Sequence, residues 1–394
     1  MVTFQGYRRP DGSVGVRNYV LVLPTVICAN RVALHIGERV PGVVAIPHVH
    51  GCDFDAERSA RSNQTFIGFA CNPNVGAVLL VSLGCETADG EYLASQMEAS
   101  GKPVELIRIQ EEGGTHRTAE KGADIARQFQ SELNRMKRER FPLSELMMAT
   151  ECGGSDAHSG LSGNPAVGVA SDRVVEEGGT VILSETSEIV GAEEALARRA
   201  ISDEVKADLL RVVERAERDL AFTTPEADGV YISPGNMEGG LTTIEEKSLG
   251  CIYKAGSSPL VEVVDYAVRP SRRGLVVMDT PGYDVASITG MIAGGAQIVV
   301  FTTGRGTPTG CPIAPVLKVA TNSATYYKME DDLDINAGTI LEGTESIAQV
   351  GGRIFEALVH VASGDKTKSE RWSYGEFAIA YTSVAEAHVL CQRG

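Results

Sequence analysis

Eight cysteines punctuate this sequence, and four of them recur in one setting. Cys52 follows glycine in HVHGC, Cys85 closes SLGC, Cys152 opens CGG, and Cys251 closes a second SLGC. A glycine neighbour lets the backbone pack closely and aims the thiol into a shared crevice. Thiols so placed can ligate iron or zinc, but no CxxC spacing is present, and small buried hydrophobic thiols are the bland alternative. Cys311, in TGCP, has similar surroundings, whereas Cys28, Cys71 and Cys391 read as structural. His48 and His50 precede Cys52 and point the same way in an extended segment. Either could be a metal ligand or a general base, since an imidazole titrates near working pH.

Three glycine-rich loops carry the remaining chemistry. In Glu151-Cys152-Gly153-Gly154-Ser155-Asp156, followed by Asn164, backbone N–H groups and polar side chains suit a carboxylate or phosphate. A helix cap at Ser155 or Asp156 explains the same residues without a ligand. The second loop runs from Asn236 through Glu238 and Thr242-Thr243 to Lys247. Capping accounts for its threonines and first-turn acids, but not for Asn236, Glu238 or Lys247, which we read as substrate-binding, metal-binding or proton-transfer groups. In the third, Arg305 stands between two glycines in TTGRGT, placed to grip a carboxylate through two N–H donors. No loop ends in the Gly-Lys-Ser/Thr of a nucleotide-phosphate loop, no GxGxxG opens a helix after the first strand, and no GxSxG elbow occurs.

These residues must be held by something, and the pattern of apolar runs says what. Tyr19–Leu23, Val43–Ile46, Ala77–Val81 and Val104–Ile109 are short and rich in Val, Ile and Leu, as buried parallel strands are. Helical stretches over Glu91–Ala99 and Thr118–Arg140 separate or follow them. The pattern restarts after Phe141-Pro142 with Leu146–Ala149, Thr180–Leu183, Leu275–Met278 and Gln297–Phe301. This predicts an α/β protein of two Rossmann-like, doubly wound parallel-sheet domains with helices on both faces, divided as residues 1–141 and 142–394. Ligands bind such sheets beyond the carboxyl ends of the strands, where nearly all the unusual residues lie. The charged stretch between Glu185 and Glu217 reads as a solvated helical pair with no part in chemistry.

Bulk properties narrow the class. A formal net charge of −16 offers no basic footprint for nucleic acid. MVTFQGYRRPDG lacks the apolar region of a signal peptide, and no apolar run is long enough to span a membrane. The expected location is therefore the cytoplasm, where the cysteines stay reduced.

Taken together, GYRRPDGSVGVRNYVLVLPTV, SLGCE, ECGGSDAHSGLSGNPAVG, GNMEGGLTTIEEKSLGCIYKAG and FTTGRGTPTGCPIAPVLKVATN resemble the catalytic region of the altronate/galactarate dehydratases. The resemblance runs from Gly6 to about Gly338. It implies a hydro-lyase that removes water from a sugar acid to give a 2-keto-3-deoxy acid, dependent on iron (Fe2+ or an iron–sulfur cluster) or Mn2+. Cys52, Cys85, Cys152 and Cys251 are the expected metal ligands, His48, His50, Lys247 and Glu238 the catalytic candidates. Arg305, Ser155, Asp156, Asn164, Asn236, Thr242 and Thr243 are the expected substrate contacts. A related branch, the large subunit of sulfolactate sulfo-lyase, implies the alternative of sulfite elimination. Family members often carry a small SAF-type domain ahead of the first string. The resemblance therefore implies a separate small subunit of about 100 residues within an oligomer. A non-catalytic acid-binding or scaffolding subunit is the reading from another class.

Overall fold

A computed structural model describes residues 1–223 and 231–381; Cys391 lies outside them. In chain order, the strands of the first part are β1 (Thr3–Arg8), β2 (Val14–Gly15), β3 (Tyr19–Pro24), β4 (Val44–Ala45), β5 (Val75–Ser82), β6 (Val104–Arg108) and β7 (Glu139–Pro142). Those of the second are β8 (Met147–Cys152), β9 (Thr180–Leu183), β10 (Leu260–Val264), β11 (Gly274–Met278), β12 (Ile298–Thr303), β13 (Val316–Ala320) and β14 (Ile335–Asn336). They form a parallel sheet of order β4-β3-β5-β6, a second parallel sheet of order β10-β11-β9-β8-β12-β13-β14, and a small antiparallel sheet β2-β1-β7.

All eight residues of β5 and all six of β12 are buried, as strands covered on both faces must be. Alternate side chains divide between the two covers. Val22, Leu79 and Val81 join the core beneath helices Asn30–Arg39 and Thr115–Leu133. Leu21, Leu23, Val78 and Leu80 turn the other way, toward Phe66 and Phe69 of helix Ala56–Cys71. That second core also takes Ala149, Ile182, Val276, Val299 and Phe301 from the other sheet. The two parallel sheets thus share a middle layer, in which helix Ala56–Cys71 meets helix Asp284–Ala293. A Cβ on Gly68 would lie 2.4 Å from the Ala293 carbonyl oxygen, so this crossing requires a glycine.

Parallel sheets with helices on both faces agree with the expected class, but the order within the larger sheet departs from a dinucleotide fold. There β11 sits between β10 and β9, whereas the Rossmann order adds strands outward in sequence. The helix expected to reach Arg140 stops at Leu133, and Glu139–Pro142 is instead a strand antiparallel to β1. Local periodicity could not reveal a pairing of segments more than a hundred residues apart. In each parallel sheet the first strand in sequence has its successors on opposite sides: β3 lies between β4 and β5, and β8 between β9 and β12. Such switch points leave a crevice beyond the strand ends. Among the described residues no helix is long and apolar enough to cross a membrane.

Candidate active site

The crevice beyond β8 is walled by two of the glycine-rich loops. Gly153 donates to the Thr302 carbonyl, and both Gly304 and Arg305 donate to the Gly154 carbonyl. An added Cβ on Gly153 would lie 2.1 Å from Asp284 Oδ2, so the loop and the start of helix Asp284–Ala293 meet without room for a side chain.

Into this crevice β8 delivers Glu151 and Cys152, and the turn after β9 delivers Glu185 and Glu188. Glu185 adopts a left-handed backbone, φ 63°, which costs a non-glycine residue of order 1–3 kcal/mol and persists only where the surroundings enforce it. The opposite wall comes from helix Ile244–Cys251 and the 3-10 turn Ile252–Ala255 that continues it. Lys247, Cys251 and Lys254 stand at i, i+4 and i+7, one stripe of a helix, and that stripe faces the strand ends.

The side chains converge tightly. Cys152 and Cys251 lie Sγ to Sγ at 3.4 Å, and both donate to Glu188 Oε2, at 3.0 and 2.8 Å. Lys254 Nζ donates to Cys152 Sγ at 2.6 Å and Glu185 Oε2 at 2.9 Å. Lys247 Nζ pairs with Glu188 Oε1 at 2.5 Å. Glu151, Glu185 and Lys254 have no exposed surface. Ser184 and Ser287 donate to Glu151 Oε2, Cys152 N donates to Glu185 Oε2, and the Glu151 and Glu185 carboxyls share a side-chain hydrogen bond.

Charge explains the protonation states. Burial raises the Glu151 acid well above its ordinary value, and the neighbouring Glu185 raises it further. Burial likewise raises the Cys152 thiol, with Cys251 and the glutamates adding. Glu185 is raised by burial and by Glu188, against Lys254. Asp284, which joins Glu151 and Glu185 in a second close group of acids, is pushed up to about 7, mainly by burial. Glu188 is the exception. Burial alone would raise it, but Lys247 and Lys254 outweigh that and hold it at about 2. Burial would also deprotonate both lysines, and the surrounding acids instead raise them above the ordinary range. The centre therefore sets two ammonium groups against the Glu188 carboxylate, among acids whose hold on their protons burial strengthens, an arrangement suited to moving protons out of contact with water.

A metal can be tested against the same donors. Cys152, Cys251 and Glu188 offer three ligand atoms within 4.8 Å of one another, a size that suits one divalent ion. Lys254, however, already donates to Cys152 Sγ, and Lys247 pairs with the Glu188 carboxylate. A divalent ion would face both cations at short range in a desolvated site, so this donor set fits proton transfer better than metal binding.

Beside the centre lies a cavity of about 290 Å³ lined by Ser155, Asp156, Asn164, Lys247 and Cys251 among others. Ser155 is buried, and its Oγ has no hydrogen-bond partner, which leaves it free for a ligand. The other expected contacts are engaged. Asp156 accepts from Ser159, Thr321 and Asn322. Asn164 donates to Gly250 O and accepts from Thr302 Oγ1. Asn236 Nδ2 supports the Ser155 carbonyl. Thr243 caps its helix on Glu246 N, and Thr242 donates to the Glu246 carboxylate. Arg305, 42% exposed, is paired to the exposed Glu238 at 2.8 Å.

His48, His50, Cys52 and Cys85 stand apart, at the carboxyl ends of the smaller sheet. His48 is buried, with Nε2 on the Pro24 carbonyl and Nδ1 accepting from His50 N. Burial pushes it down to about 4, and both ring nitrogens are in use. His50 Nδ1 meets the Tyr381 hydroxyl. Cys52 and Cys85 are exposed.

Of the expected residues the structure brings Cys152, Cys251 and Lys247 together, and it adds Glu185, Glu188 and Lys254, to which sequence reasoning gave no role. The stretch assigned to solvent does hold helices Glu193–Ala197 and Asp203–Thr223, but its first two acids are buried counter-charges. Two signals were available: the i, i+4, i+7 stripe, and two glutamates three apart just past a buried strand.

The fold and crevice define an α/β protein with a water-excluded acid–base centre at a sheet's switch point, as in an enzyme. Comparison with known proteins gives the family. Residues 143–385 match the C-terminal domain described as D-galactarate/altronate dehydratase, and residues 6–134 match the second domain described as D-galactarate dehydratase/altronate hydrolase. The chain belongs to the galactarate/altronate dehydratase family, whose dehydratase members are hydro-lyases. Galactarate dehydratase (L-threo-forming) of Escherichia coli is 39% identical over 94% of this chain and 75% of its own length. Altronate dehydratase of Bacillus subtilis is 34% identical, over 97% and 78%. The (2R)-sulfolactate sulfo-lyase subunit beta of Chromohalobacter salexigens is 36% identical over 96% of this chain and 97% of its own length.

Proposed function

We propose that this chain is the catalytic subunit of a metal-dependent hydro-lyase that removes water from a sugar acid to give a 2-keto-3-deoxy acid. The observation that carries the reading is the buried Lys247–Glu188 pair beside a cavity with an unpartnered serine hydroxyl. Ser155 Oγ and the Lys247 ammonium would receive the substrate carboxylate. Each N–H that Lys247 turns toward that carboxylate weakens its hold on Glu188, whose proton affinity rises accordingly. Substrate binding thus converts Glu188 from a spectator into a base able to take the proton alpha to the carboxylate. The hydroxyl on the next carbon leaves as water with a proton from one of the raised acids, and the enol ketonises. Iron, with Mn2+ as the alternative, is the metal this reading expects, and none of the proton transfers above is routed through it. The cytoplasm is the proposed location, and a small second subunit, as the name of the sulfo-lyase relative suggests, the proposed partner.

A second reading is sulfite elimination from a sulfonated hydroxy acid. The near end-to-end match with the sulfo-lyase subunit favours it. Incubation with galactarate, altronate and sulfolactate, with and without ferrous iron and a candidate small subunit, separates the two. A 2-keto acid formed from a sugar acid supports the first; sulfite release supports the second. Neither product under any condition overturns both.

A further inference from the structure

We propose that Cys28, Cys52 and Cys85 are the protein ligands of an iron–sulfur cluster of the four-iron type, seated at the switch point of the smaller sheet and leaving one iron without a thiolate. Each thiol follows a different strand of three adjacent ones: Cys28 after β3, Cys52 after β4, Cys85 after β5.

The loops that carry them are tied to one another. Ile27 N donates to His50 O at 3.0 Å, which joins the first to the second. Ala88 N and Thr87 Oγ1 donate to Gly51 O at 3.2 and 3.1 Å, which joins the second to the third. The Glu86 carboxylate closes the ring. It accepts from Gly84 N and Cys85 N on one oxygen and from Thr25 Oγ1 on the other. Gly51 has φ 105°, and a Cβ there would lie 2.1 Å from the Thr25 carbonyl oxygen. Each cysteine is itself in the ring or adjoins a residue that is.

Exposure sets these thiols apart. Cys28, Cys52 and Cys85 are exposed, Cys71 is intermediate, and Cys152, Cys251 and Cys311 are buried. Free cysteine is among the most buried residue types, so three exposed thiols on one sheet edge need a reason. A single ion does not suit these three thiols. Thiolates on a single tetrahedral ion at about 2.3 Å would lie roughly 3.8 Å apart, yet these three belong to no group of donors within 4.8 Å among the described residues. Thiolates of a cluster bind separate irons and stand farther apart. The lysine-filled centre beyond β8, by contrast, leaves little room for a metal.

The cluster does not rest on the hydro-lyase reading. The test uses the full chain, purified anaerobically and reconstituted with ferrous iron and sulfide. About four irons and four acid-labile sulfides per chain are expected, with a visible chromophore bleached by dithionite and an electron paramagnetic resonance signal from the reduced state. Cys28→Ser, Cys52→Ser and Cys85→Ser should each abolish the signal without changing circular dichroism or the thermal melt. Cys152→Ser and Cys251→Ser should retain it. Iron without labile sulfide, a signal surviving in Cys28→Ser, or loss in Cys152→Ser alone would overturn the assignment. A cluster present without turnover of any acid leaves the site standing and sinks the hydro-lyase reading; iron-dependent turnover without labile sulfide does the reverse.

Discussion

Replacing Lys254 by methionine keeps most of the side-chain stem and removes the charge. In the intact protein the buried ammonium holds Cys152 Sγ and Glu185 Oε2 at 2.6 and 2.9 Å. Glu151 and the Cys152 N–H also hydrogen-bond Glu185, but the Lys254 charge is the largest influence favouring its ionised form. Burial already lifts the Glu185 acid above its ordinary 4.5, and loss of Lys254 must lift it further. Where the carboxyl is protonated in both folded proteins, the variant lacks only hydrogen bonds, a cost of about 1–3 kcal/mol. Once pH exceeds the wild-type value, the wild type releases the proton beside its ammonium and the variant cannot. The gap then widens by about 1.4 kcal/mol per pH unit, toward the 3–5 kcal/mol usual for breaking a buried pair. Urea unfolding of both proteins at pH 5 and pH 9 measures it. A gap equal at the two pH values, or no loss of stability at pH 9, would refute the assignment of Lys254 as counter-charge.

Asp284→Asn tests the second acid group. Because burial raises the native Asp284 value from 3.8 to about 7, its contribution is complete below pH 3.8 and fades as pH rises through 7. The asparagine variant should therefore gain on the wild type between pH 4 and 8, with a ceiling of about 4 kcal/mol; a difference independent of pH in urea unfolding would count against the raised value. Ser155→Ala removes a buried hydroxyl with no protein partner, so stability should stay within about 1 kcal/mol. If that hydroxyl binds substrate, KM rises roughly tenfold with little change in kcat; an unchanged KM would place the substrate elsewhere.

Much of the scaffold was legible because buried parallel strands announce themselves as short Val, Ile and Leu runs. Thr180–Leu183 coincides with its strand, and β3, β5 and β12 differ from the expected runs by a few residues. The strand Glu139–Pro142 was not legible, because its partner is β1 and nothing in its own apolar pattern demands a sheet. The site was half legible. Glycine beside Cys152 and Cys251 marked strand-end and helix-end thiols, but Glu185 and Glu188 look like solvent-facing acids until Lys247 and Lys254, some 60–70 residues further on, are brought against them. Similar composition likewise hid the difference between Cys52 and Cys85 on exposed loops and the two buried thiols. Cys28, in VICAN, has no glycine neighbour, and nothing in that setting marks its thiol as exposed.

The central claim is that the Lys247–Glu188 pair moves the proton alpha to the substrate carboxylate. Steady-state turnover of the preferred acid by Glu188→Gln, compared with the iron-loaded wild type, tests it most directly. The account predicts a fall in kcat of about 10²–10⁴-fold, together with loss of exchange of the alpha proton with deuterated water. A Glu188→Gln protein that turns over and exchanges at the wild-type rate would contradict it.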